Sequence, residues 1–364
     1  MQSRNNQPKY YMLMEHLKEE ILMGRIMPGE QIPSENTLTE THKLSRHTVR
    51  KAISMLVNEG YLYTEHGRGT FCLSRSSKRN DSKNIGVIMT YISEYIFPRV
   101  IEGIERVLSN NKYSIILKNT SNILNNEALY FEDLLSKDIE GLIIEPTKSA
   151  LFSNNLKFYE AFDKHNIPYV FLHGDYRELE GKSKVVLDDV AGMYSVVEYL
   201  AKLGHKNIVG IFKADDTQGI DRHRGYAKAL TDTGLPYDPD SVIWYHTEEQ
   251  EIKPFAIIKQ MLEEKRNIDA IACYNDEIAF KMFPLLNKLG LKVPDDISIT
   301  GFDDSFLSEN CPVKLTTVSH PKEVLGEEAA KILLQLINDK NYKNNPIQKI
   351  IIPKLIIKDS CRKR

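Results

Sequence analysis

Long apolar runs are missing from this 364-residue chain. No stretch approaches the roughly 20 residues that cross a bilayer, and the opening MQSRNNQPKYYMLMEHLKEE has no uninterrupted apolar segment of the secretory kind. The expectation is no membrane partner and a cytoplasmic location. Cysteine is scarce as well. Cys72, Cys273, Cys311 and Cys361 lie far apart with no Cys-x-x-Cys, which excludes a disulfide scaffold, offers no zinc ligand set and suits a reducing compartment. The familiar catalytic motifs are lacking too. Gly67-Arg68-Gly69 has Cys72 where a dinucleotide fingerprint needs its third glycine, and Gly181-Lys182-Ser183 has Tyr176 where a phosphate loop needs its first. Gly-x-Ser-x-Gly and His-Glu-x-x-His do not occur, and Ser319-x-x-Lys322 stands without the partner motifs of its chemistry. Acidic pairs at 188/189, 215/216 and 303/304 allow a glycosidase reading, but a binding cleft uses the same carboxylates as acceptors. The expectation is a non-enzyme with no metal and no cofactor.

What the chain does have is apolar surface to bury. Hydrophobic residues make up 41% and charged residues 27%, so the bulk should fold, into roughly two or three domains. Residues 1–79 carry 12 Lys+Arg against 8 Asp+Glu, whereas the remainder carries 36 against 42. A basic head therefore precedes an acidic body. The polar stretch LSRSSKRNDSKN, with one apolar residue, cannot pack and reads as a linker over 74–84. Beyond it, short β-branched runs at 85–89, 113–117, 141–145, 169–172, 207–212, 269–274 and 298–302 alternate with helix-period segments. That alternation predicts parallel sheets covered on both faces, and so many strands divide more readily between two lobes than within one sheet. The stretch VVLDDV is expected to cross between them.

In the head, residues 32–44 and 45–56 read as two helices joined by a tight turn, with Ser34 and Ser45 as caps. Turning Val49, Ile53 and Leu56 inward leaves Arg46, His47, Arg50 and Lys51 outward, donors suited to a DNA major groove. YLYTEHGRGTFCLS then alternates around a glycine turn, giving a hairpin whose tip offers His66 and Arg68. Scattered arginines are commonly only a solvated face; two capped helices followed by a basic hairpin favour the duplex. PGEQIPSENTL, LSRHTVRKAISMLVNEGYLY and GRGTF resemble the winged helix-turn-helix of the GntR family of bacterial regulators. The resemblance implies a DNA-binding domain over 8–73. Carried onto this chain, it places Glu35 near the start of the second helix, Ser45, Arg46, Thr48 and Arg50 on the recognition helix, and His66, Gly67, Arg68 and Gly69 in the wing. Asn36 stands where that family often has Arg. Lys43 stands where it usually has Gly, so a positive φ there would cost of order 1 kcal/mol.

The body resembles the effector domain of the lactose and galactose repressor family, through DDVAG, LGHKNIVGI, RHRGY, CYNDEIA, VPDDISITGFDD, LTTV and LIIKDS in order. The resemblance implies a two-lobed, periplasmic-binding-protein-like fold over 85–361 that binds a sugar and dimerises. The first lobe is expected at 85–187 plus 320–346, the second at 188–318 plus 347–361. A sugar needs fixed carboxylate, amide and guanidinium partners and an aromatic face, and α/β crevices form at strand C-termini. Arg222, Asn275 and Asp303 fall at such ends, although Asn275 and Asp303 are equally good caps or turns. The first lobe supplies Tyr91 and Tyr95, whose hydroxyls favour a wet cleft, with Glu145, Lys148 and His173; His320 completes the candidate set. TYISEYIFP, IEPTKSAL and GIFKADDTQGI further resemble a branch that joins this head to this body, which implies L-arabinose as effector. The composite reading is a homodimeric repressor that leaves double-stranded operator DNA when the sugar binds. Alternatives are a regulator for another pentose, a hexose or a nucleoside, or a sugar-binding or sugar-cleaving protein whose head docks another protein.

Overall fold

A computed structural model describes residues 7–73, 82–339 and 341–364. In the head, Ser34 and Ser45 each accept the backbone N–H three residues on, from Thr37 at 3.1 Å and Thr48 at 3.2 Å. Those caps start helices α2 (Glu35–His42) and α3 (Arg46–Asn58), which follow α1 (Lys9–Leu22). Between α2 and α3, Lys43 adopts φ 51° and ψ 48°, the left-handed conformation that its position demands. Leu13, Leu17 and Ile21 of α1 and Val49, Ala52 and Leu56 of α3 are buried in one core. Strands β1 (Leu62–Glu65) and β2 (Gly69–Cys72) pair antiparallel as the expected hairpin.

The expected linker lies outside the described residues at 74–81. Its end differs from expectation, because Asn84 already opens β3 (Asn84–Met89). The first lobe continues with α4 (Phe97–Asn110), β4 (Ser114–Asn119), α5 (Leu124–Leu135), β5 (Gly141–Ile144), α6 (Leu156–Lys164), β6 (Tyr169–Leu172) and β7 (Lys184–Leu187). β5 and β6 are buried at every residue, as strands covered on both faces must be. The second lobe runs through α7 (Asp189–Lys202), β8 (Ile208–Lys213), α8 (Thr217–Asp232), β9 (Val242–Tyr245), α9 (Lys253–Glu263), β10 (Ala270–Ala272), α10 (Asp276–Lys288), β11 (Ser298–Thr300), α11 (Phe306–Asn310) and β12 (Thr317–Val318). Then α12 (Lys322–Asn338) returns to pack on α4, and β13 (Gln348–Ile351) and β14 (Leu355–Ile356) close the chain.

The first sheet has the order β13-β7-β6-β5-β3-β4 and the second β11-β10-β8-β9, and every strand pair in both is parallel. This corrects the expected lobe boundary. Residues 348–351 belong to the first lobe, since β13 pairs with β7; the tail joins the second only from β14, which pairs with β12. VVLDDV is likewise the end of a strand as well as a crossing, because Val185–Leu187 lie in β7. Three segments therefore connect the lobes, after β7, before α12 and between β13 and β14. One apolar cluster runs without interruption from the head through Phe131, Phe158 and Phe162 of the first lobe.

Candidate functional site

A cavity of about 320 Å³ lies between the lobes, at the small end of the range that encloses small ligands. Its walls are the carboxyl ends of strands from both sheets: Tyr91 follows β3, Glu145 follows β5, His173 follows β6, Lys213 ends β8, Asn275 follows β10 and Asp303 follows β11.

Arg222 on α8 is the centre of the second-lobe wall and is only 4% exposed. Its Nε donates to Asp189 Oδ1 at 2.8 Å, one terminal nitrogen to the Tyr274 carbonyl at 2.7 Å and the other to Asp303 Oδ1 at 3.2 Å. The guanidinium also lies 3.7 Å from the Phe302 ring centroid. Burial pulls its pKa down, but Asp303 and Asp189 outweigh burial and hold it above the usual arginine range. One cation thus serves two buried carboxylates. Accordingly, burial pushes Asp189 up to about 7 even with Arg222 pulling against it.

Across the cavity, Glu145 accepts from the backbone N–H and hydroxyl of Thr90 on one oxygen and meets His173 Nδ1 at 2.8 Å on the other. A carboxylate at Nδ1 leaves Nε2 of His173 as the ring's second polar atom, and it has no partner among the described residues. The His320 ring stands edge-on to His173 at 5.2 Å, with its Nδ1 also unpartnered. Burial, together with the nearby His173, Lys322 and Arg222, holds His320 far below the usual imidazole range, so it is neutral. Asn275 caps α10 through its Oδ1, which accepts from Ile278 N–H at 3.0 Å, so its cap and cavity roles coexist.

Tyr95 behaves differently from expectation. Its hydroxyl reaches from the first lobe to the second, lying 2.7 Å from Asp303 Oδ2 and accepting the Asp276 N–H at 3.2 Å. It is a latch between lobes, and its hydroxyl is not left to a wet cleft. Lys148 is the one expected ligand residue that does not line the cavity. It sits at φ 48° and sends its ammonium across the lobe boundary to Glu248 at 2.5 Å and Asp215 at 3.6 Å. Beside it, Ser149 bonds Thr217, and Asn122 Nδ2 donates to Thr247 Oγ1 at 2.7 Å. The lobes are clasped shut by these contacts.

Sequence reasoning missed Asp189, Lys213, Asp216 and Tyr274, all of which line the cavity. Lys213 is fully inside; burial lowers its pKa, but Asp216 and Asp215 raise it further, so it stays charged. Its place as the last residue of β8 was the available signal.

In the head, Arg46, His47 and Arg50 are exposed on α3 as expected, and His66, Gly67 and Arg68 are exposed at the hairpin tip. Gly67 and Gly69 have φ of 75° and 125°, which only glycine adopts without strain. Arg50 Nε pairs with Glu35 at 2.8 Å, and Arg68 with Glu65 at 2.5 Å. The side chains of Ser45 and Thr48 bond each other at 2.8 Å at the start of α3. Lys51 is exposed as expected, its ammonium 3.7 Å over the Tyr10 ring.

Residues 9–72 match the gntR family of bacterial regulatory proteins, and residues 197–361 match the periplasmic binding protein-like domain. An arabinose metabolism transcriptional repressor of Halalkalibacterium halodurans is 40% identical over 361 residues, covering 97% of this chain and 96% of its own. One from Geobacillus stearothermophilus is 38% identical and covers 98% of each chain. Among solved structures, a LacI family transcriptional regulator from Enterococcus faecium with bound ribose is 25% identical, with a TM-score of 0.66 over 77% of this chain and 99% of its own.

Proposed function

Because this chain belongs to the family of arabinose metabolism transcriptional repressors, a family of DNA-binding regulators and not of enzymes, we infer that it responds to a sugar and that the sugar is L-arabinose. The observation that carries the reading is the interlobe cavity built around Arg222, Asp189 and Asp303, in the same chain as an arginine-bearing winged head. A polyol presents hydroxyls that donate and accept at once. The cavity answers with carboxylate acceptors, the Lys213 ammonium, the unpartnered imidazole nitrogens of His173 and His320, and the Tyr91 and Phe97 rings. It is small enough for a monosaccharide.

The mechanism follows from where the clasp sits. With the cleft empty, opening separates Tyr95 from Asp303 and Lys148 from Glu248. A sugar bridging both walls favours the clasped form by its differential affinity, and only by that amount. The working molecule is a homodimer, whose two heads read two half-sites of a near-palindromic operator until closure misplaces them. A typical coupling of 1 to 3 kcal/mol corresponds to roughly 5 to 150-fold in operator affinity. None of the four cysteines is joined in a disulfide, which supports a cytoplasmic setting. Titrating sugars into a labelled-operator complex tests the reading. L-arabinose should release the DNA while other pentoses and hexoses do so weakly. Indifference to DNA at low ionic strength, or turnover of a carbohydrate, would refute it.

A further inference from the structure

Among the described residues, the first lobe meets the head through a polar contact. His165, which terminates α6, presents Nε2 to the carbonyls of Ile21 and Leu22 at 3.1 and 2.9 Å. These belong to the last turn of α1, where carbonyls have no partner within the helix and carry the negative end of its dipole. With carbonyl oxygens as acceptors, Nε2 must carry the proton and donate. Just beyond, Gly24 lies so close to the Lys164 stem that an added Cβ would sit 2.8 Å from Lys164 Cδ. The apolar cluster is continuous across the same boundary.

The other end of this segment is the ligand cavity. Residues 145–149 supply Glu145 to the cavity and Lys148 and Ser149 to the interlobe clasp. The fully buried Glu127 on α5 holds that loop in place. It accepts from Thr147 N–H at 3.1 Å, the Tyr176 hydroxyl at 2.8 Å and Asn155 Nδ2 at 2.7 Å. Asn155 directly precedes α6, and α6 ends on His165. One short stretch of chain therefore touches the sugar site, the clasp and the head.

We propose that His165 is a positioning residue for the DNA-reading head, seating α1 on the first lobe in the closed-cleft form and so carrying effector occupancy to the operator. Clasped lobes and a seated head occur together in the structure, and the proposal identifies this clasped form with the sugar-bound, operator-releasing state. The proposal rests on the sugar-responsive reading above. Full-length wild type, His165→Ala and His165→Gln are compared for operator affinity without and with saturating L-arabinose, for sugar affinity, and for amide exchange at Gly24, whose N–H bonds the Ile21 carbonyl.

In His165→Ala the ratio of operator affinities without and with sugar should shrink about fivefold, the order supplied by one net hydrogen bond. Sugar-free operator affinity should stay within about twofold, and sugar affinity should fall by no more than the same fivefold. Gly24 exchange should accelerate. His165→Gln, which keeps a donor, should restore both coupling and protection. An unchanged ratio overturns the proposal, and so does loss of sugar-free operator binding, which would place the seat in the gripping state. If wild type ignores every sugar, the effector reading fails instead, and unaltered Gly24 exchange in His165→Ala then removes the seat on its own.

Discussion

Replacing Tyr95 with Phe keeps the ring and removes only the latch. The hydroxyl lies 2.7 Å from Asp303 Oδ2 and receives the Asp276 N–H at 3.2 Å, and both partners come from the opposite lobe. It has one proton to give, and the charged Asp303 oxygen is a better and nearer acceptor than the Phe302 carbonyl at 3.1 Å. A hydrogen bond to a charged group is worth about 1.5 to 3 kcal/mol net, and the loss falls on the closed form alone. Closure should therefore become roughly 10 to 150-fold less favourable, and sugar affinity should fall by that factor wherever binding requires closure. Calorimetric titration of L-arabinose into Tyr95→Phe measures it. On the proposed mechanism the latch is open in the sugar-free, operator-bound state, so operator binding without sugar should be unchanged. Wild-type sugar affinity in the variant would show that Tyr95 does not hold the lobes together and would refute the argument.

Further outcomes concern the two sites and their acids. Arg50→Ala should weaken operator binding by about 1 to 3 kcal/mol in a gel shift at physiological salt while sparing sugar affinity; unchanged DNA binding would remove α3 from the groove. Asp303→Asn keeps the shape but strips Arg222 and Tyr95 of a charged acceptor, so sugar affinity should drop at least about tenfold with operator binding intact, and calorimetry decides it. Burial lifts Asp189 and Asp276 each to about 7. An acid whose folded pKa exceeds its unfolded value, about 3.9, stabilises the fold at low pH and loses that contribution as pH rises through the folded value. The Tm should therefore gain between pH 8 and 5.5 from these groups wherever the lobes are clasped as in the structure. Asp189→Asn, which cannot ionise, should flatten part of that gain, and parallel curves for wild type and variant would contradict the assignment.

Legibility followed physical cause. The caps Ser34 and Ser45, the glycine hairpin and the strands 85–89 and 169–172 were readable, because capping, turn chemistry and double-sided burial each leave a local mark. The exchange of β13 between lobes was not, since a strand with exposed residues such as Ile350 pairs wherever a sheet edge is offered. β9 went unseen for a related reason: four residues with alternating burial make too short a period to stand out. Within the site, eight of the nine expected residues line the cavity. The ninth, Lys148, and the latch role of Tyr95 depend on what the opposite lobe brings near, and no local spacing encodes that. Asp189 was visible as half of an acidic pair, but its role emerges only with Arg222 beside it.

The contact between Arg50 and Glu35 bears on how tightly the head holds DNA. The Arg50 guanidinium is paired with a carboxylate on the neighbouring helix, which favours one of its rotamers over the many a free arginine samples. On the proposed reading, any DNA oxygen that takes the Arg50 Nε must first displace Glu35 from a solvent-exposed ion pair, worth at most about 1 kcal/mol. That small cost falls on base edges and phosphates alike, so the pair trims the head's grip without by itself choosing a sequence.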